Sequence, residues 1–290
     1  MRSQATWIRG VVTIVRLTLL EAARRRLLWA LVVLTVLLVA LTGWGFERVM
    51  ALTSFSGARL VLGISQLVIF VAFMFSFVLA MTAAFMGCPA IGADVESGLA
   101  LALLARPLGR AQLILGRWLG LSIVLVLYTV GFGALELAMV AWLTGYAPPF
   151  PFAALAYLAG AGVSLLSVAI LLGTRVGPIT GGAIVVVLYG INWVVGVLGS
   201  VSGLLGVTSF AQAADLSRLL LPSDGLWRGA IVALEPPASV LEGAGPGATV
   251  FSASPFFASL APSLAYQLWC AGWVAAMLGL SVVAFRRREI

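Results

Sequence analysis

The sequence contains no lysine and no histidine, and all 17 of its basic residues are arginine. A P-loop sets a lysine behind its glycines to reach nucleotide phosphates, so the chain carries no Walker A site of the usual kind. Imidazole acid–base catalysis, histidine-held zinc or haem, and Schiff-base chemistry on lysine are excluded by the same absences. Cysteine is scarce as well. Cys88 and Cys270 fall at or within predicted membrane spans, on different sides or at different depths, which favours packing over a disulfide or a metal cluster. Charge of either sign is sparse, at 9% of 290 residues.

What fills the chain instead is apolar: 62% of residues are hydrophobic and the mean hydropathy is +1.14. Soluble domains hold roughly 45–50% apolar and about 25% charged residues, so this is an integral membrane protein. A bilayer core takes roughly 20 apolar residues per helix. Six blocks qualify: Leu27 to Gly43, Ile64 to Gly87, Leu113 to Thr144, Phe152 to Gly173, Ile179 to Val201 and Leu264 to Phe285. They are continuously apolar, without the two-residue alternation of a membrane β-barrel. The first block follows Arg24, Arg25 and Arg26 and lacks a clear cleavage site, so it is expected to be retained.

The fold expected is an all-α membrane protein of six transmembrane helices spanning residues 27–290, preceded by an N-terminal interfacial helix at 1–26. Arg2, Arg9 and Arg16 recur every seven residues on one face of that helix, with Ile8, Val12, Val15 and Leu19 on others. The alternative is a first span that starts early, with Arg16 snorkelling. With both termini cytoplasmic, thirteen arginines lie inside, leaving Arg48, Arg59, Arg218 and Arg228 outside. That bias fits the positive-inside rule and makes topology, not nucleic-acid binding, the origin of the +7 net charge.

Two connections stand out. Residues 202–263 form a long external segment with helical character over Leu204 to Leu221 and Leu226 to Leu241, broken at Pro222 to Gly225. Its charges, Asp215, Arg218, Arg228 and Glu235, favour external or re-entrant helices over a further pair of spans. On the opposite side, residues 88–112 carry Asp94, Glu96, Arg106 and Arg110 on a short amphipathic helix with Leu99, Leu103 and Leu104, ended by Pro107 and Gly109. Its charges suit either a partner-binding surface or a solvated connector.

Inside the spans, Glu136 is the one acid, either a pathway or cation-contact residue or an anchor paired across helices. Asn192, beside Trp193, and Gln66 either line a polar path or hydrogen-bond between helices. Gly160, Gly162, Gly181 and Gly182 permit close helix contact, and Phe70, Phe73, Phe75 and Phe77 read as core or lipid-facing side chains.

The ordered set Glu96-Ser-Gly98-Leu99, Leu103-Leu104-Ala-Arg106-Pro107, Arg110 and Leu113-Ile-Leu-Gly116-Arg117 resembles the permease subunits of ABC-2 type transporters. The likeness extends to Thr13 to Arg26 with the span that follows, and to the ending Phe285 to Glu289. The Thr of the family's usual Gly-Thr-Leu is missing, with Ala100 following Gly98-Leu99, and Arg117 replaces its Lys. The resemblance implies a permease subunit, not an enzyme, in a prokaryotic cytoplasmic membrane. It would form a dimer, homodimeric by expectation, and act as an exporter driven by separate cytoplasmic ABC ATPase subunits. ATP and Mg would reside on those partners, with no cofactor on this chain. It further implies that Asp94, Glu96, Gly98, Leu99, Arg106 and Arg110, with Glu21 and Arg24 of the N-terminal helix, contact the ATPase, while Glu136, Asn192 and Gln66 are candidates for the translocation pathway. The rival readings are a secondary transporter using Glu136, a non-transporting membrane scaffold or sensor, and, least supported by so few acids, an intramembrane enzyme.

Overall fold

A computed structural model describes residues 2–24, 26–52, 57–96, 109–237, 254–258 and 260–287. These residues form helices α1 (Arg2–Arg24), α2 (Arg26–Leu52), α3 (Ala58–Glu96), α4 (Arg110–Thr144), α5 (Pro151–Gly173), α6 (Pro178–Leu205), α7 (Thr208–Leu220), α8 (Ser223–Leu234) and α9 (Leu264–Arg286), with no strand among them. Helices are the expected solution, because a backbone in hydrocarbon must satisfy its own hydrogen bonds. Six of them, α2 to α6 and α9, are long and apolar enough to cross a bilayer.

The expected blocks are all present, with shifted ends. The first helix continues past Gly43 to Leu52, carrying Glu47 and Arg48, and the Arg48 guanidinium lies 5.7 Å from the Trp44 ring centre. This is the snorkelling geometry of a charge near a helix end. The second helix does not stop at Gly87. It runs through Pro89 to Glu96, so Asp94 and Glu96 occupy its last turn and do not begin a separate helix. A proline is tolerated inside a membrane helix because neighbours can take up the freed backbone group.

At the bundle's centre stands α5, the most buried span, packed against α3, α4, α6, α8 and α9. Small residues let its neighbours approach. A Cβ at Gly162 would lie 2.7 Å from Leu125 of α4, and one at Gly173 would lie 2.5 Å from the Cys88 carbonyl oxygen of α3. Cys88 is a buried free thiol whose Sγ meets the Ala169 carbonyl at 3.2 Å, and Cys270 is buried on α9, so both serve packing. Gly181 and Gly182 seat Cys88 and Phe85 of α3 in the same way. The turn between α4 and α5 begins with Gly145 in the left-handed region at φ 72°, where a side chain would be strained.

The connection between α6 and α9 contains two helices that fold back along the bundle. From Gly206 the chain reverses, and α7 descends beside α6, with Ala214 against Gly199. At Pro222 it reverses again, and α8 climbs beside α5 until the Phe150 amide donates to the Ala233 carbonyl at 3.2 Å. Ten of the twelve residues of α8 are buried, and neither α7 nor α8 is among the helices long and apolar enough to cross a bilayer, so the pair forms a hairpin packed against the bundle. The break falls one turn earlier than the glycine suggested, because Asp224 suits the electropositive first turn of α8. Pro236 and Pro237 stop α8 just after Glu235.

Two glycines on α5 give a direct check of the hub. Gly173→Ala drives a Cβ into backbone and is expected to destabilise by about 1–3 kcal/mol. Gly160→Ala meets only Leu226 at 3.5 Å and should leave the thermal unfolding midpoint in detergent unchanged.

Candidate functional site

The arginine-rich end of the bundle is organised by α1. Val11, Ile14, Thr18 and Ala22 form its buried stripe, while Ile8, Arg9, Val12, Arg16 and Leu17 are exposed. The stripe lies on the start of α4, against which α1 packs along its length. Gly116 and Gly120, one turn apart, receive Ile14 and Thr18, where added Cβ atoms would come within 2.5 and 2.7 Å. Beside them the Arg117 guanidinium pairs with the Glu21 carboxylate. Arg117 is 8% exposed and needs that partner, since a buried unpaired charge is costly.

The same end closes onto the C-terminal helix. Arg110 Nη1 donates to the carbonyl oxygens of Phe285 at 3.1 Å and Arg286 at 2.9 Å, capping the negative end of α9. Gln112 links both directions. Its amide nitrogen Nε2 donates to the Trp7 carbonyl at 3.0 Å, and its Oε1 accepts the Gly109 amide at 2.6 Å. Arg110 and Glu21, expected at a partner surface, thus also fasten α9 and α1 to α4. Arg24 is exposed at the end of α1. Asp94 and Glu96 lie in the last turn of α3, and Gly98, Leu99 and Arg106 lie outside the described residues.

The pathway candidates occupy three separate places. Asn192 is a buried tie between α6 and the hairpin turn. Its Nδ2 donates to the Leu221 carbonyl at 3.2 Å and to Ser223 Oγ at 2.8 Å, while the Ser217 hydroxyl donates to its Oδ1. Trp193 stacks on Phe73 with ring centres 4.9 Å apart, and Phe73 also meets Trp227 and Phe256. Phe73 is therefore packed in the core, whereas Phe70 and Phe77 are exposed. Gln66 is half-buried on α3 and takes no part in the Asn192 network. Glu136 lies on α4 about 12 Å short of its end at Thr144, beside a cavity between α2, α3, α4 and α5.

The hairpin's charges cancel one another. Arg218 donates to Asp215 at 2.8 Å and to Asp224 at 2.9 Å. Arg228 donates to Asp224 at 3.3 Å, to the Gly196 carbonyl at 2.8 Å and to Ser200 Oγ at 3.1 Å. Two arginines and two aspartates make a neutral group, and a Cβ at Gly196 would lie 2.2 Å from the Asp224 carboxylate. Residues that were too charged to span alone are thereby held against α6. No composition signal marks Gly196 as their seat.

Comparison with known proteins now decides the family. The family model described as ABC-2 family transporter protein matches residues 12–290. The chain belongs to the ABC-2 transporter family. The probable ABC transporter permease protein NosY of Pseudomonas aeruginosa is 42% identical over 67 residues, which make up 23% of this chain and 24% of that relative. The match spans about a quarter of the relative's length. As an ABC-2 family member with six span-length helices, the chain is a multi-pass membrane protein.

The end of the bundle opposite the arginines has its own latch. Tyr146 donates to the Leu234 carbonyl at 2.6 Å, and Glu235 Oε1 accepts the Ala258 amide at 3.0 Å. Burial pushes the Glu235 carboxyl up from its ordinary 4.5 to about 7, with the Ala258 hydrogen bond opposing. Folded protein then holds a proton that unfolded protein has released, so stability falls as pH rises from about 4.5 through 7. Thermal unfolding across that range should show this decline in the wild type and a flatter profile in Glu235→Gln.

Proposed function

We propose that this ABC-2 family member is the membrane subunit of an exporter, working as a homodimer with two cytoplasmic ABC ATPase subunits. ATP and Mg are bound by those partners. The chain lies in a prokaryotic cytoplasmic membrane with both termini inside, and moves its cargo by alternating access. Four features support the reading: the family match over residues 12–290, the named relative, the exclusion of a Walker A lysine, and the clustering of arginines at one end.

The single observation that carries it is the junction of α1, the start of α4 and the end of α9. Residues 97–108 lead directly into that junction at Gly109 and Arg110. A partner that engages Asp94, Glu96, Gly98, Leu99 and Arg106 from the cytoplasm would push on α3 and α4 together. Through Glu21–Arg117 and Arg110 the push would reach α1 and α9 as well. Exposed Arg9, Arg16 and Arg24 suit α1 to the anionic inner leaflet, with Ile8, Val12 and Leu17 among the apolar headgroup boundary.

The test is co-purification from mild detergent, with wild type beside a Glu96→Arg, Arg106→Glu double variant. An ABC ATPase is expected with the wild type, and its recovery and coupled hydrolysis are expected to be lost from the variant. An ATPase retained equally by both would overturn the assignment of these residues. Its absence from both folded proteins would favour the secondary transporter using Glu136 over the permease.

A further inference from the structure

The buried arginines and Asp224 are ion-paired and the buried Glu235 accepts a backbone amide, whereas one acid inside a span is less well served. Glu136 is partly buried on α4 and its Oε1 has no hydrogen-bond partner. The hydroxyl it meets is that of Thr42, which already donates to the Leu38 and Val39 carbonyls of its own helix. Arg48 of α2 lies on the Trp44 ring and Arg117 of α4 pairs with Glu21, and no arginine lines the cavity beside Glu136. A carboxylate at membrane depth costs roughly 2.5–3.5 kcal/mol on insertion scales, so one left without a counter-charge calls for a ligand that brings it.

Glu136 faces a cavity of ≈ 50 Å³. Its wall is almost wholly apolar, with Val39 from α2, Val71 and Phe75 from α3, Phe132 from α4 and Leu155 from α5. Tyr128 stands behind the two phenylalanines, its ring centre 4.9 Å from Phe132 and 5.6 Å from Phe75. The Tyr128 hydroxyl is bonded to Thr35 at 2.6 Å, which fixes this aromatic wall to α2. A carboxylate beside aromatic rings is the combination that attracts an organic cation. A bare divalent ion is poorly served, because it takes six or more oxygen ligands and only Glu136 and Thr35 supply side-chain oxygen to the wall.

Size and access narrow the class. The space exceeds what one water needs, about 10–15 Å³, and holds a small ammonium head, whereas a multi-ring body would not enter. Glu136, Phe132, Leu137 and Val71 are each only half-buried, so the cavity communicates with the flank of the bundle. An amphiphile dissolved in the leaflet would arrive there at the right depth. We propose that Glu136, Phe75 and Phe132 bind the ammonium head of a single-tailed lipophilic amine, with its tail lying along the α2–α4 flank. The proposal deepens the permease reading by naming a cargo class and rests on that reading only for transport. Binding itself is tested on the chain alone.

Octylammonium is titrated calorimetrically into the purified chain in maltoside micelles, against empty micelles and against octanol, which has the same tail and no charge. Saturable octylammonium binding is expected for the wild type, weaker by about tenfold or more in Glu136→Gln, where the charge-assisted hydrogen bond is lost. Phe132→Leu keeps the carboxylate and should weaken binding several-fold, which settles the question even where Glu136→Gln elutes poorly. Three results would overturn the site: undiminished affinity in these variants, octanol bound equally well, or no saturable binding by folded wild type. None of them bears on ATPase co-purification, so the failure of this site and the failure of the permease reading remain distinguishable.

Discussion

The seat of α1 on α4 is the contact on which the arginine-rich end depends. Gly116 and Gly120 remove the side chains that would hold the helices apart, Ile14 and Thr18 fill the space, and Glu21 neutralises the nearly buried Arg117. Each part needs the others. Without the glycines the ion pair cannot close, and without Glu21 the closely packed surface would bury a lone guanidinium. Arg110 and Gln112 extend this unit to α9 and to the N-terminal end of α1, so that α1, α4 and α9 meet at the start of α4.

A second constraint shapes the other half of the protein. Polar backbone and charged side chains may lie at membrane depth only when covered by protein. The α7–α8 hairpin meets that condition by pairing Arg218 and Arg228 with Asp215 and Asp224, and by tying its turn to Asn192. Its descent along α6 and return along α5 fill the bundle from the end opposite the arginines. Glu136 is the contrast: it is partly buried and, among the described residues, pairs with no counter-charge. That difference separates a structural charge from one available to a ligand.

The spans, their number and the common end of both termini were legible because length and hydropathy are local properties. The α7–α8 hairpin was half legible: the charges of Asp215, Arg218 and Arg228 argued against spanning, while their pairing through Asp224 over Gly196 depends on the approach of two helices distant in sequence. Gly43 and Gly87 suggested helix ends that the structure carries through, because helix packing outweighs the modest propensity cost of a single glycine. Among the site residues, Asn192 proved to be a helix tie. Arg110 and Glu21 were visible as charges in a family pattern, but their hold on α9 and Arg117 was not. Those contacts join residues about a hundred or more positions apart, where periodicity carries no information.

The central claim is that α1 and α4 move as one body when a partner ATPase binds nucleotide. Spin labels at exposed Val12 on α1, Leu127 on α4 and Val194 on α6, with Cys88 and Cys270 replaced by alanine, allow the two distances to be read in the ATPase complex by pulsed electron resonance. The account predicts that ATP leaves the Val12–Leu127 distance unchanged and shifts the Val12–Val194 distance. A change between Val12 and Leu127, or an ATP-independent value for both pairs, would contradict it.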